Sequence, residues 1–155
     1  MLSHKLLKNF FLMLLAFTFS ASVFAAEHGT ADEAMAMVKK AVAFTKAKGK
    51  EQLLAEASNH SGQFIDRDLY LSVYDLDAVV LAHGVNPKLI GKSIISLNDV
   101  DGKFFMKEII AKAKFDGKGR VDYKWPHPVT KEYQAKSAYF EVVDGVIISC
   151  GFYRY

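Results

Sequence analysis

Hydrophobic residues recur at steps of three and four near the start of the chain, which is the period of an amphipathic helix. The stripe is formed by Met35, Val38, Ala41, Val42 and Phe44. The preceding residues 30–33 (TADE) have the form of a capping box, in which the Thr30 and Glu33 side chains bind backbone N–H groups. Gly49 predicts the end of this helix, and residues 51–57 predict a second, short one. The chain is therefore predicted to begin its folded part with a long helix of roughly 15 to 18 residues.

The pattern changes at Leu69, where runs typical of strands replace the helical period. Strands are predicted over 69–74, 78–83, 119–125, 135–143 and 146–153. The first two are joined by a tight turn, and the last two by the Asp144-Gly145 turn that strongly favours a hairpin. Residues 84–101 are predicted to be irregular, and Asp101 is a candidate cap for a helix over 103–114. Because no helix separates the last three strands, the sequence predicts an α+β domain with a largely antiparallel sheet.

The first 25 residues have the organisation of a secretory signal peptide. Lys5 and Lys8 precede an apolar run over 10–19, and small residues lead to Ala25. We predict cleavage after Ala25 and a periplasmic mature chain of residues 26–155. The alternative is an uncleaved membrane anchor, which is disfavoured because Thr18, Ser20 and Ser22 interrupt the apolar run. No later segment is long and apolar enough to span a membrane.

Composition excludes several classes of function once the signal peptide is set aside. Removing two of the 20 basic residues leaves 18 against 17 acidic ones, so charge gives no reason to expect a nucleic-acid partner. Cys150 is the only cysteine, which rules out an internal disulfide. The histidines after Ala25 lack the paired spacing of metal ligands. We therefore expect neither a metal nor a cofactor.

One strand places a lysine among apolar residues. In the strand over 135–143, alternation groups Lys136 with Ala138, Phe140 and Val142. A buried ammonium is costly without a partner, and a small carboxylate ligand would supply one. Tyr123 and Trp125 share the buried face of the strand over 119–125 and are predicted as additional hydrogen-bond donors to it. The alternative is that Lys136 extends to the strand end and is solvated.

Three further residues are weaker candidates for ligand contacts. His83 ends its strand on the predicted face of Val79 and Leu81, and as a donor it would make affinity depend on pH near roughly 6.5. Tyr70 and Tyr74 share one face of the strand over 69–74. Each of the three also fits an ordinary place in the core. Pro126 and Pro128 are predicted to end a strand and shape the mouth of the pocket.

Four segments, in this order and spacing, resemble the single Cache domain family. They are residues 71–77 (LSVYDLD), 80–84 (VLAHG), 86–92 (NPKLIGK) and 121–126 (VDYKWP), with Lys136, Ser137 and Tyr139 following. The resemblance covers roughly residues 32–153. It implies a PAS-like five-stranded antiparallel sheet with a long N-terminal helix, a pocket on one face of the sheet near His83, and binding of small organic acids without catalysis.

The resemblance also implies a role in sensing. Its membrane-bound members are chemoreceptors and sensor kinases, whereas no membrane helix or signalling domain follows in this sequence. We expect a stand-alone secreted member that binds an acid of the acetate, propionate, pyruvate or lactate class. It would present this ligand to a membrane receptor or sensor kinase, with a possible homodimer through the N-terminal helix.

Two other functions remain open from sequence. A ligandless interaction or dimerisation module would expose an apolar stripe at Met35, Met37 and Val38 and would have a filled core. A hydrolase or redox enzyme would use Cys150 with His83 as its base. Cys150 alternates with apolar residues in the last strand and is most simply a core residue, so no enzymatic activity is expected.

Overall fold

The computed structural model describes residues 28–155, so the predicted signal peptide lies outside the described residues and remains a prediction. Helix α1 spans Ala31–Lys48. The Thr30 hydroxyl accepts the N–H of Glu33 at 3.2 Å, and the Glu33 carboxylate accepts the N–H of Thr30 at 2.8 Å. The predicted capping box is therefore confirmed. The helix ends at Gly49, whose φ of 91° favours glycine, and α2 follows over Lys50–Ala57.

The strands form one antiparallel sheet. They are β1 (Ile65–Asp66), β2 (Leu69–Asp75), β3 (Val80–His83), β4 (Lys118–Pro126), β5 (Tyr133–Val143) and β6 (Val146–Tyr153). Their order is β1-β2-β6-β5-β4, and β3 also pairs with β2. The five predicted strands are all present. The sixth, β1, has two residues, too few for any periodicity to reveal it. The α+β prediction is confirmed.

The segment between β3 and β4 contains a 3₁₀ turn at Pro87–Leu89 and helix α3 over Phe105–Asp116. The prediction that Asp101 caps α3 was wrong. The helix begins after Phe104 without a side-chain cap, and the Asp101 carboxylate forms an ion pair with Lys124 at 2.9 Å. Asp101 and Gly102 instead form a turn in which Gly102 has a φ of 81°.

Helices and loops cover both faces of the sheet. On one face, α1 and α2 pack on alternate residues of β2 and β6: Leu69, Leu71, Val73, Val146, Ile148, Cys150 and Phe152. On the other face, α3 and the segment over 84–104 cover a second core that includes Val80, Phe140 and Ile147. Polar side chains in the central part of the sheet, such as Ser72 and Ser149, are therefore enclosed by protein. Within residues 28–155, no helix has the length and hydropathy needed to cross a membrane.

A bulge in β3 turns His83 to the α3 side of the sheet. The register shifts within the β2–β3 pairing, so that Ala82 lies opposite Val73 and Val80 lies opposite Tyr74. Leu81 packs against the α1 side, whereas His83 lies opposite Ser72. The expectation that His83 shares a face with Val79 and Leu81 was therefore wrong, because simple alternation does not hold through a bulge.

Candidate functional site

A narrow cavity lies between the sheet and the segment over 84–104. Its volume is about 20 Å³, which is room for about one water molecule. All six residues predicted as ligand contacts border it: Tyr70, Tyr74, His83, Tyr123, Trp125 and Lys136. Leu89, Ile94 and Phe105 form its apolar roof, while Ser72, Ser149 and Gly151 complete the floor on the sheet. The fold thus brings the candidate residues of four strands to one place.

Lys136 is enclosed in the floor of this cavity, with 1% of its surface exposed. Its Nζ donates hydrogen bonds to the hydroxyls of Tyr70 at 2.9 Å and Tyr153 at 3.3 Å. The same Nζ lies 4.3 Å and 4.4 Å from the centroids of these two rings. The solvated alternative for Lys136 is therefore excluded.

No carboxylate of residues 28–155 forms an ion pair with Lys136. Burial lowers the pKa of Lys136, and the nearby Tyr153 hydroxyl counteracts part of this effect. The ammonium is thus held by hydroxyls and ring faces, with no carboxylate of residues 28–155 in contact and only the more distant charge of Asp68 acting to raise its pKa. An anion entering the cavity would favour the charged form of Lys136.

Gly151 makes room for the lysine. An ideal Cβ on Gly151 would lie 2.2 Å from Cε and 3.2 Å from Cδ of Lys136. The Lys136 side chain therefore leaves β5, crosses β6 over Gly151 and reaches Tyr70 on β2. Any larger residue at position 151 would block this path, since real Cβ atoms do not approach other heavy atoms so closely.

Sequence reasoning missed Tyr153, the second partner of Lys136. Tyr153 also donates a hydrogen bond to the carbonyl of Pro126 at 2.8 Å, which links β6 to the end of β4. The information was present in the sequence, because the Asp144-Gly145 turn fixes the hairpin register. Counting outward from that turn pairs Lys136 with Tyr153, and this pairing is observed.

Tyr123 and Trp125 form an aromatic wall with Phe105. The Tyr123 ring stacks on Phe105 at 4.3 Å between centroids, and Trp125 meets Phe105 edge-on at 5.5 Å. Tyr123 lies opposite Lys136 in the β4–β5 register, yet the ammonium is directed to Tyr70 and Tyr153. The direct contact of Tyr123 and Trp125 with a carboxylate therefore stays a prediction.

The hydrogen bonds of His83 fix its neutral ring in the tautomer that can donate one hydrogen bond. Its Nδ1 accepts the backbone N–H groups of Val85 at 3.3 Å and Asn86 at 3.0 Å, so the ring proton is on Nε2. Burial, and secondarily the positive charge of Lys136, lowers the pKa of His83 to about 4. The expected titration near 6.5 was therefore wrong, because the prediction took no account of burial.

A wider, open cavity of about 540 Å³ adjoins the first one and shares Tyr70, His83 and Trp125 with it. Pro126 and Pro128 line this outer space, as predicted for residues at the mouth of the pocket. We call it the vestibule; it lies beside the inner cavity, on the side of the β4–β5 loop.

The model of the single Cache domain 2 family matches residues 24–154. The chain belongs to the single Cache domain family. Cache domains are extracytoplasmic sensory modules that bind ligands, and the cavity of this domain lies on the face of the sheet where the resemblance predicted it.

Relatives of this Cache domain are chemotaxis proteins. Over 90 residues it is 34% identical to the methyl-accepting chemotaxis protein McpP of Pseudomonas putida, a match that covers 57% of this chain and 16% of that receptor. A solved Cache chemosensory domain, described for its recognition of carboxylic acids, is 28% identical with a TM-score of 0.67. That match covers 80% of this chain and 92% of the other.

A more distant structure shows the shared fold alone. It is a methyl-accepting chemotaxis protein from Vibrio parahaemolyticus, 22% identical with a TM-score of 0.65, and the match covers 79% of this chain and 86% of that one.

Three residues with metal-ligating side chains converge near the mouth of the Cache domain: His28, Asp68 and His127, whose ligand atoms lie within 4.8 Å of one another. The Nδ1 of His127 accepts two backbone N–H groups of the following loop at 3.2 and 3.3 Å. The proton of the neutral ring is then on Nε2, which faces the Tyr155 hydroxyl at 3.2 Å. Because a protonated nitrogen cannot ligate a metal, this arrangement favours a hydrogen-bond cluster over a metal site.

Cys150 lies on the other face of the sheet from His83. It is fully buried in the core under α1, with its sulfur 3.8 Å from that of Met37. Burial raises the pKa of the Cys150 thiol to about 12. The pair considered as nucleophile and base is therefore separated by the sheet, and Cys150 is a core residue as the sequence indicated.

Proposed function

We propose that this Cache domain binds a short-chain carboxylate, with Lys136 as the group that receives the carboxylate. The observation that carries the proposal is a fully enclosed ammonium, at the floor of a cavity, that no carboxylate of residues 28–155 contacts. A hydrogen bond between charged partners contributes about 1.5–3 kcal/mol, so an anion at this place would gain a contact that water in the vestibule does not provide.

The remaining walls limit the ligand to a small acid. Leu89, Ile94 and Phe105 close the cavity from above, and Tyr74 and Trp125 border it from the side. Acetate, propionate, pyruvate and lactate are the acids proposed, and recognition of carboxylic acids by a similar Cache domain supports this class. Tyr70, Tyr123, Trp125 and His83 are proposed as further contacts through their hydroxyl or N–H groups.

The domain is proposed to work in the periplasm as a sensor. Its likeness to chemotaxis receptors supports a role in which the ligand-bound state is presented to a membrane receptor or sensor kinase. A homodimer through α1 would be compatible with this role.

The ligandless interaction module loses its main support. It required an exposed apolar stripe on α1, but Val38 is fully buried and Met37 is 9% exposed in the core of the domain. Its second requirement, a filled interior, is nearly met, because the cavity beside Lys136 leaves only about 20 Å³.

Calorimetric titration and thermal melting with the four acids test the proposed function. We expect at least one acid to bind and to raise the melting temperature, because a ligand that binds only the folded state stabilises it. Lys136→Met should abolish both effects, since methionine keeps the length of the side chain and removes the charge. Its melting temperature without ligand should be equal or higher, because replacing a buried charge by an apolar group often stabilises.

Lys88→Met is the matched control. Lys88 is an exposed residue of the vestibule, so its loss should leave binding nearly unchanged. Equal binding by the parent protein and Lys136→Met would place the anion elsewhere and contradict the proposal.

A further inference from the structure

A line of polar side chains crosses the floor of the cavity next to Lys136. In the strand registers, Ser72 of β2 lies opposite Ser149 of β6 on one side and opposite His83 of β3 on the other. All three border the cavity. The floor is therefore polar over three adjacent strands, whereas the roof over it is apolar.

These polar groups are buried but incompletely satisfied by the protein. Ser149 is 3% exposed, His83 4% and Ser72 7%. The Ser149 hydroxyl and the Nε2–H of His83 have no hydrogen-bond partner among residues 28–155, and both open on the cavity rather than being fully enclosed by protein. The Ser72 hydroxyl lies beside that of Tyr74. Buried polar groups are normally paired, so the unpaired donors here indicate a polar partner that enters from the cavity.

The position of Ser149 relative to Lys136 defines what that partner can be. Ser149 precedes Gly151 by two residues on the same face of β6, and the Lys136 side chain lies over Gly151. Two residues of a strand span about 7 Å. An acid with an oxygen on the carbon next to its carboxylate, with one hydrogen bond at each end, spans a gap of this order.

We infer that the site selects 2-hydroxy or 2-oxo monocarboxylates over simple alkanoates of the same size. The carboxylate would lie at Lys136, the second oxygen at Ser149, with Ser72 and His83 beside it, and any methyl group under Leu89 and Ile94. This inference rests on the proposed function and narrows its ligand class.

Two pairs of nearly isosteric acids test the inference. Glycolate and propionate differ by a hydroxyl in place of a methyl group, and lactate and isobutyrate differ in the same way. In calorimetric titrations of the parent protein we expect the hydroxy acid of each pair to bind about five- to tenfold more tightly, the effect of about one neutral hydrogen bond. In Ser149→Ala the ratio within each pair should fall to near one.

The control is Ser61→Ala, an exposed serine outside the cavity, which should keep the ratio of the parent protein. Because the preference is measured first in the parent protein, the test does not depend on how well a variant folds. Tighter or equal binding of the alkanoates overturns this inference and leaves the proposed function standing. A ratio unchanged in Ser149→Ala overturns the assignment to Ser149. Failure of these four acids, and of acetate and pyruvate, to bind overturns the proposed function and this inference with it.

Discussion

Lys136 shows how a sheet of this kind can hold a charge inside a protein. Desolvation of an ammonium costs several kcal/mol, and the hydrogen bonds and ring contacts of Tyr70 and Tyr153 offset part of this cost. Burial nevertheless lowers the pKa of Lys136, so the surroundings as a whole disfavour its charged form. Lys136 is therefore better explained by a role in ligand binding than by a contribution to stability, because an apolar side chain of similar volume would stabilise the core at least as well.

Gly151→Ala is predicted to act on binding through Lys136. The added Cβ would occupy the path of the Lys136 side chain, which lies within 2.2 Å of that position. We expect carboxylate affinity to fall roughly 10- to 100-fold, as for loss of a charge-assisted contact. Calorimetric titration with the tightest acid measures the effect, and melting curves without ligand report the strain.

A double-mutant cycle separates the two causes of that effect. In the Lys136→Met background the flexible thioether can move aside, so Gly151→Ala should destabilise this variant less than it destabilises the parent protein. Equal destabilisation in both backgrounds, together with unchanged affinity in the single variant, would show that Gly151 does not position Lys136.

His83 is predicted to make stability depend on pH in acid. Its pKa is about 4 in the folded state, against about 6.5 for an unperturbed histidine. Between these values the unfolded chain binds more protons, so the free energy of unfolding should fall as pH is lowered from about 6.5 to 4, by up to about 1.4 kcal/mol per pH unit. Below about pH 4 this contribution should be fully lost.

His83→Asn is the variant that isolates this contribution. The asparagine oxygen can accept the N–H groups of Val85 and Asn86 in place of Nδ1, but it does not titrate. Urea unfolding at a series of pH values should give a shallower acid slope for the variant, while both proteins behave alike above about pH 7. Parallel curves would mean that His83 protonates without cost in the folded state.

At the level of elements, one carboxylate fixes the segment that roofs the cavity. The Asp99 carboxylate accepts N–H groups of Asp101 and Lys103 at 2.9 Å each, and of Lys124 on β4 at 3.0 Å. Burial works against ionisation of Asp99, but the three backbone donors outweigh it, so its pKa is lowered. The Asp99 carboxylate therefore attaches the roof of the cavity to β4, the strand that carries Tyr123 and Trp125. This attachment fixes the position of the roof relative to the aromatic wall.

Most helices and strands could be predicted from the sequence because their information is local. Capping at Thr30, the periodicity of α1 and the Asp144-Gly145 turn each depend on neighbouring residues, and all three were confirmed. The cap of α3 was predicted wrongly because the helix begins after Phe104 without a side-chain cap. The Asp101 carboxylate pairs instead with Lys124 on β4, a contact between distant residues that the local sequence does not reveal.

The candidate site was predicted less completely, for a related reason. Alternation alone grouped Lys136 with apolar neighbours, but it did not show which strand the side chain would cross. The partners Tyr70 and Tyr153 lie 66 and 17 residues away in sequence. Ser149 was missed because a serine in an otherwise apolar strand has no distinctive pattern. That its hydroxyl lacks a hydrogen-bond partner can be seen only when the cavity above it is known.

For the whole molecule, the two faces of the sheet have different roles. The α1 face is a continuous apolar core that includes Cys150, whereas the α3 face combines an apolar core with the cavity. Substitutions on the first face should mainly change stability, and those around Lys136 should mainly change binding. This division explains why an alternating strand such as β6 can carry both Cys150 and Ser149.

Asp68 joins distant parts of the chain near the mouth of the domain. Its Oδ1 accepts the N–H of Gly29 at 2.6 Å, and its Oδ2 accepts the hydroxyl of Tyr155 at 3.2 Å. The Tyr155 ring stacks on His28 at 3.8 Å between centroids. The residues that lead into α1 and those that follow β6 are thus held together by one buried carboxylate.

Asp68→Ala is predicted to lower the free energy of unfolding by about 1–3 kcal/mol, because it leaves the buried N–H of Gly29 without an acceptor. Urea unfolding measures the loss, and calorimetric titration shows whether the charge of Asp68, which acts on Lys136 from outside the cavity, also affects carboxylate affinity. Asp77→Ala is the control, because Asp77 is exposed and its carboxylate makes no ion pair within residues 28–155. This substitution should change the free energy of unfolding by less than about 0.5 kcal/mol. Equal stabilities of the two variants would show that the cluster around Asp68 contributes nothing to holding these segments together. A loss of affinity in Asp68→Ala alone would instead show that these segments and the cavity are energetically coupled.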